Sequence, residues 1–96
     1  MRYREMVAYI ARRLPHQTQW EVEDVLDVLI ELMQDKLAQG ETITLPDIGA
    51  LSIEVQEMLT GGAVVRHSNR KTLIRIYGRF RPAGSLKDRL QKEVHS

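Results

Sequence analysis

Apolar residues recur every three to four positions through the first forty residues, and every second position through much of the remainder. That change of period divides the chain. Tyr3, Met6, Val7, Ile10, Ala11 and Leu14 lie at helical spacing and predict an amphipathic helix over roughly residues 3–13. Arg12 and Arg13 fall in its last turn, where the helix dipole favours cations, and Pro15 closes it. Thr18-Gln-Trp-Glu21 follows, a Ser/Thr-x-x-Glu capping box just ahead of an apolar periodic run. Val22, Val25, Leu26, Leu29, Leu32, Met33 and Leu37 form one wide stripe, with most of the acidic residues away from it. Gly40 stands where a C-terminal cap is expected, so a second helix of about twenty residues ends there.

From Gly40 to Val55 the sequence reads GETITLPDIGALSIEV. Thr42-Ile43-Thr44-Leu45 alternates polar and apolar, Pro46-Asp47-Ile48-Gly49 supplies turn chemistry, and Leu51, Ile53 and Val55 alternate with Ser52, Glu54 and Gln56. This predicts a short strand, a tight connection and a longer strand with one apolar face. Thr60-Gly61-Gly62 interrupts the pattern, and His67-Ser-Asn-Arg70 gathers turn formers between two strand-like runs, which places a hairpin tip there. Leu73 to Phe80 reads as the returning strand, with Arg75, Arg79 and Arg81 sharing one parity and hence one face. Pro82-Ala-Gly84 ends it. Ser85-Leu-Lys-Asp88 reads as a second capping box that opens a terminal helix over about residues 85–94.

Charge sharpens this division. Residues 1–57 carry five basic side chains against eleven acidic ones, whereas residues 58–96 carry nine basic against Asp88 and Glu93. A basic extended half beside an acidic helical half suggests that the former meets a polyanion. The plainer alternative is a solvated surface whose charges have segregated. At 96 residues the chain reads as one domain, and a chain this small hides only a modest fraction of its surface. It has no cysteine, and His16, His67 and His95 are too far apart to suggest a metal site. Neither disulfide nor metal is therefore expected to supplement the core. A symmetric oligomer is the remaining remedy, and the wide stripe of the second helix fits one; an ordinary monomer core is the alternative.

No nucleophile–base arrangement or phosphate-cradling glycine loop appears, so an enzyme, a cofactor and a small-molecule substrate are not expected. The opening MRYREMVAYIARR has no apolar run of signal or membrane length, which reads as a soluble cytoplasmic protein without a membrane partner.

The order of these elements, together with particular residues, resembles the HU/IHF family of bacterial histone-like DNA-bending proteins. The matching positions are Ile10-Ala11, Thr18, Val25-Leu26, Leu29 and Leu37-Ala-Gln-Gly40-Glu41. They continue through Ile43-Thr-Leu45-Pro46-Asp-Ile48-Gly49-Ala-Leu51, where the family shows Gly-Phe-Gly-x-Phe, and through Phe80-Arg-Pro-Ala-Gly84-Ser-Leu86-Lys87, where it shows Phe-x-x-Gly-x-x-Leu-Lys. The likeness runs over roughly residues 3–92. It implies an α+β fold of two N-terminal helices, a three-stranded antiparallel sheet with a long β-hairpin arm, and a short C-terminal helix, in an intertwined homodimer or a heterodimer with a paralogue. Residues 3–39 would form the helical dimerisation body, 40–81 the sheet and arm, and 85–94 the last helix.

The implied function is nucleoid-associated binding of double-stranded DNA, largely without sequence reading, with bending or compaction by arms in the minor groove. The implied contact residues are Arg66, His67, Asn69, Arg70, Lys71 and Arg75 at the tip and return strand, Arg79, Arg81 and Lys87 at the saddle and last helix, and Arg4 near the N-terminus. The sequence also departs from the family. Its Arg-Asn-Pro-x-Thr-Gly arm signature is missing, the corresponding region reads GGAVVRHSNRK, and no proline lies between Leu59 and Arg81. Val64, Val65 or His67 would have to serve as any wedge. Glu54, Gln56 and nearby Glu57 occupy the first arm strand, where the family favours Arg and Lys, and two registers of the arm are open. These departures favour the alternative function, an HU-fold dimer serving as a protein-interaction or assembly module with weak or no bending.

Overall fold

The computed structural model describes residues 1–60 and 71–95, and side chains at 58–60, 71–72 and 95 are left aside. It contains α1 (Tyr3–Arg13), α2 (Gln19–Ala38), β1 (Ile43–Leu45), β2 (Gly49–Thr60), β3 (Lys71–Pro82) and α3 (Gly84–His95). Two compact units divide the chain in the last turn of α2, one covering residues 1–35 and the other 36–96.

In the first unit α1 packs on α2 through a very small core. Val7 and Val22 are each only 5% exposed, and they are the only buried apolar side chains among the described residues. The α1 N-terminus has no side-chain cap; its first helical bond runs from the Met6 amide to the Arg2 carbonyl at 3.1 Å. The chain leaves the helix at Leu14, and the Gln17 amide donates to the Leu14 carbonyl at 2.9 Å to close the turn around Pro15.

The N-cap expected at Thr18 is formed, as the first half of the capping box. The Glu21 amide donates to Thr18 Oγ1 at 3.1 Å, satisfying one of the helix's orphan donors, and the hydroxyl lies 3.3 Å from the Glu21 carboxylate, to which it donates. At the other end Gly40 adopts φ +83°, with Gly40 N–H bonded to Leu37 O at 3.1 Å and Glu41 N–H to Lys36 O at 3.0 Å. That pair of bonds is a Schellman motif, which satisfies carbonyls the helix leaves open. The predicted ends of both helices agree with the structure to within a residue or two.

A further tie joins the two helices. The Tyr3 hydroxyl donates to the Asp27 carboxylate and lies 3.2 Å from the Glu23 carbonyl. The bond to Asp27 leads in pushing the phenol pKa up to about 12, followed by burial and by the negative charges of Asp27, Glu23 and Asp24.

The second unit is built on an antiparallel sheet in the order β1-β2-β3. Leu45-Pro46-Asp47-Ile48 turns β1 into β2, with the Ile48 amide 3.2 Å from the Leu45 carbonyl and Asp47 at φ +63°. Proline at the second position and positive φ at the third are the signature of a type II turn. Gly49 then opens β2 at φ +143° and is packed against β3: a Cβ there would fall on the Arg81 carbonyl and lie 2.9 Å from Pro82 Cα. The sequence-based strand of Leu51–Val55 proves to be the near part of a longer ladder. Pairing runs without a break from Gly49↔Pro82 to Thr60↔Lys71. The residues expected at the hairpin tip, His67–Arg70, and Gly61-Gly62 lie outside the described residues.

One expectation is corrected. Ser85 does not cap α3. The helix begins at Gly84, with Lys87 N–H bonded to Ala83 O at 3.0 Å, so Ser85 lies inside its first turn. Its hydroxyl donates instead to Asp47 Oδ1 at 2.9 Å, and the Ala83 amide donates to the Ile48 carbonyl at 2.9 Å. The hydroxyl serves as a tertiary donor and not as a local cap, and the start of α3 is pinned to the β1–β2 turn.

Candidate nucleic-acid interface

Strand register sorts the side chains of β2 and β3 onto two faces, because directly opposed residues project to the same side. Leu51↔Phe80, Ile53↔Gly78, Val55↔Ile76 and Glu57↔Ile74 make one face, apolar except for Glu57. Ala50↔Arg81, Ser52↔Arg79, Glu54↔Tyr77 and Gln56↔Arg75 make the other. The shared parity of Arg75, Arg79 and Arg81 therefore puts three exposed guanidinium groups on one side of the sheet. Glu57, by the same register, faces away from Glu54 and Gln56, so it is removed from the surface on which those arginines stand.

Two chemistries meet on this polar face. Thr42, Ala50, Ser52, Arg79, Phe80 and Arg81 line a shallow cleft of about 480 Å³. Hydroxyls beside guanidinium groups are the donors that recognise phosphate oxygens. Thr42 and Ser52 were not among the sequence-predicted contacts. Their parity with Thr44 and Glu54 was visible, but a strand register was needed to set them beside Arg79 and Arg81. The second chemistry is an ion pair: Arg79 is held by the Glu54 carboxylate, diagonally across the ladder. Its side chains are 65% and 38% exposed, so it belongs with surface pairs worth about 0–1 kcal/mol. Among the described residues no carboxylate pairs with Arg75 or Arg81.

The other predicted contacts fall elsewhere. Lys87 is exposed on the first half of α3, in the same unit as the sheet. Arg4 is exposed on α1 in the other unit. Lys71 opens β3 opposite Thr60, with its side chain left aside. Arg66, His67, Asn69 and Arg70 lie outside the described residues, as do Val64 and Val65. No group of acidic residues and histidines among the described residues is arranged to hold a metal ion. No helix there is long and apolar enough to cross a membrane.

A helical pair, a three-stranded antiparallel sheet with one basic face, and a terminal helix anchored on the first turn define a small HU-type fold. The chain belongs to the HU family, since the profile described as "Bacterial DNA-binding protein" matches residues 1–91. Among solved structures, an HU variant from Thermotoga maritima superposes with a TM-score of 0.66 at 21% identity, covering 94% of this chain and 99% of that one. An HU–DNA cocrystal structure from Anabaena gives a TM-score of 0.68 at 14% identity, over 94% of this chain and 97% of that one. At these identities the superpositions establish the fold.

Proposed function

We propose that this protein is a homodimeric, nucleoid-associated histone-like protein that binds duplex DNA largely without reading sequence and bends or compacts it. The observation that carries the reading is the gathering of Arg75, Arg79 and Arg81 on one sheet face, with Ser52 and Thr42 beside the last two. Guanidinium groups spaced along a strand suit a polyanion whose charges repeat along its length, and nothing in such contacts distinguishes one base pair from another. The HU–DNA cocrystal among the solved relatives supports carrying this partner over. Arg66, His67, Asn69, Arg70 and Lys71 precede these arginines in sequence as expected contacts, and Lys87 and Arg4 would add flanking phosphate contacts.

The dimer rests on what one chain leaves uncovered. Ile76 on the apolar sheet face is 68% exposed and Val25 on α2 is 69% exposed. Val28, Leu32, Val55 and Ile74 are also exposed. With two valines buried among the described residues, one chain gains little to offset the conformational entropy of ordering its backbone, so a second copy is the natural cover for these faces. Light scattering should give twice the 11.1 kDa chain mass.

The DNA reading is tested by salt titration of binding to linear and pre-bent duplexes. A dimer making about six to ten phosphate contacts loses roughly 10³–10⁵ in affinity between about 50 and 200 mM salt. Absent or salt-independent binding on both duplexes would sink it. The alternative, a protein-interaction or assembly module of the same fold, draws support from the Glu54–Arg79 pair on the basic face and from the lack of proline between Leu59 and Arg81. Fluorescence transfer across a bound duplex separates the two: a bend favours the first reading, weak or no bending the second.

A further inference from the structure

We infer that Glu54 sets the strength of the DNA interface by occupying Arg79, acting as an internal substitute for a phosphate. The inference rests on the DNA-binding reading above and concerns how that same face is tuned. Three observations lead to it. Glu54 projects from the same face as Arg75, Arg79 and Arg81, where its carboxylate is the one acidic group the β2–β3 register places among the described residues. That carboxylate is bonded to Arg79. Arg79 also lines the cleft shared with Arg81, Ser52 and Thr42, so the captured residue borders the donors gathered on this face.

The chemistry of the exchange is simple. A carboxylate and a phosphodiester both present anionic oxygens to a guanidinium fork, so only one of them is served at a time by the same N–H groups. When duplex approaches, either Arg79 stays with Glu54 and contributes no neutralised phosphate, or it turns to phosphate and leaves Glu54 uncompensated beside the polyanion. Both routes subtract one from the net charge the protein brings to the DNA. The first route also removes one neutralised phosphate, and the number of phosphates neutralised is what the salt dependence of binding counts. Glu54 should therefore lower both the affinity and its steepness against salt, while leaving Arg75 and Arg81 free to hold the backbone. The result is a grip weaker than the arginine count of the face suggests.

A double-mutant cycle tests this with the full-length protein, comparing wild type, Glu54→Gln, Arg79→Gln and the double variant by salt titration on one duplex. Glu54→Gln keeps the side-chain shape and removes the charge. It is expected to tighten binding roughly three- to tenfold at about 100 mM salt and to steepen the log–log salt slope by about one per copy of the site. Arg79→Gln should cost little in the parent and far more in the Glu54→Gln background, because only there is the guanidinium unopposed. Matching far-ultraviolet spectra and melting curves exclude misfolding as the cause. An affinity gain that persists undiminished without Arg79 would overturn the proposal, since the carboxylate would then act by general repulsion. Unchanged affinity and slope in Glu54→Gln would overturn it as well. Failure of the DNA reading itself looks different: the parent and all three variants would show no salt-dependent binding.

Discussion

Gly49 joins two separable costs at one position, and replacing it with alanine measures both. Its φ of +143° is a backbone conformation that L side chains rarely adopt, and its missing Cβ leaves room for β3, where an added methyl would fall on the Arg81 carbonyl and lie 2.9 Å from Pro82 Cα. Holding a non-glycine residue in such a region costs about 1–3 kcal/mol. Forcing extra volume into a packed contact costs about 1–3 kcal/mol more, because the β3 backbone has to move rather than a flexible side-chain end. Gly49→Ala should thus lose about 2–6 kcal/mol, a large part of the total stability of a domain this size. At about 4–8 °C per kcal/mol, its melting temperature should fall by at least about 8 °C.

Two other glycines supply the controls. Gly40 has φ +83° but no atom within 4 Å of a built Cβ, so Gly40→Ala should carry only the backbone term of about 1–2 kcal/mol. Gly84 has neither positive φ nor a neighbour, and Gly84→Ala should lie within about 0.5 kcal/mol of wild type or be slightly stabilising, as helix propensity favours alanine. Circular dichroism melts at one fixed protein concentration would rank the three, since the melting point of the proposed dimer would depend on concentration. Equal losses for Gly49→Ala and Gly40→Ala would refute the close-contact argument, and a Gly49→Ala melt coincident with wild type would refute both terms.

Other expectations concern the helical unit. Because the neutral Tyr3 phenol is favoured in the folded state, its contribution to stability is fully present below the unfolded value of 10.0 and is lost as pH rises through about 12. An ultraviolet absorbance titration should show a late-ionising tyrosine that disappears in Tyr3→Phe; an unchanged titration curve would mean Tyr3 does not donate to Asp27. Thr18→Ala removes the acceptor of the Glu21 amide and should cost about 0.5–2 kcal/mol, with Thr18→Ser retaining most of it, as read from urea midpoints.

The sequence was most informative where structure is decided locally. The ends of α1 and α2 follow from Pro15, the Thr18 box and Gly40, each of which acts within a turn of its own position. The turn at Pro46-Asp47 was legible for the same reason. Ser85 shows where this logic fails: its Ser-x-x-Asp spacing is a sound local motif, yet the hydroxyl meets Asp47, 38 positions away, and takes that partner. Strand length was underestimated because Gln56-Glu57 breaks the apolar alternation without breaking the ladder of backbone hydrogen bonds. At the interface, the common parity of the three arginines was readable from β3 alone. What opposes them was not, since Glu54 meets Arg79 and Ser52 joins the cleft only through a register fixed by two distant segments.

That unbroken register also constrains how this fold can change length. Side chains alternate between the basic and apolar faces from Ala50 to Glu57 on β2 and from Ile74 to Arg81 on β3. An extra residue accommodated within one strand would exchange the faces beyond it, turning arginines toward the apolar side and isoleucines toward the charged one. A paired residue in each strand restores alternation, whereas an odd insertion in one needs a bulge to absorb it. Homologous or engineered strands of different length should therefore differ by even steps, or carry a bulge where they do not.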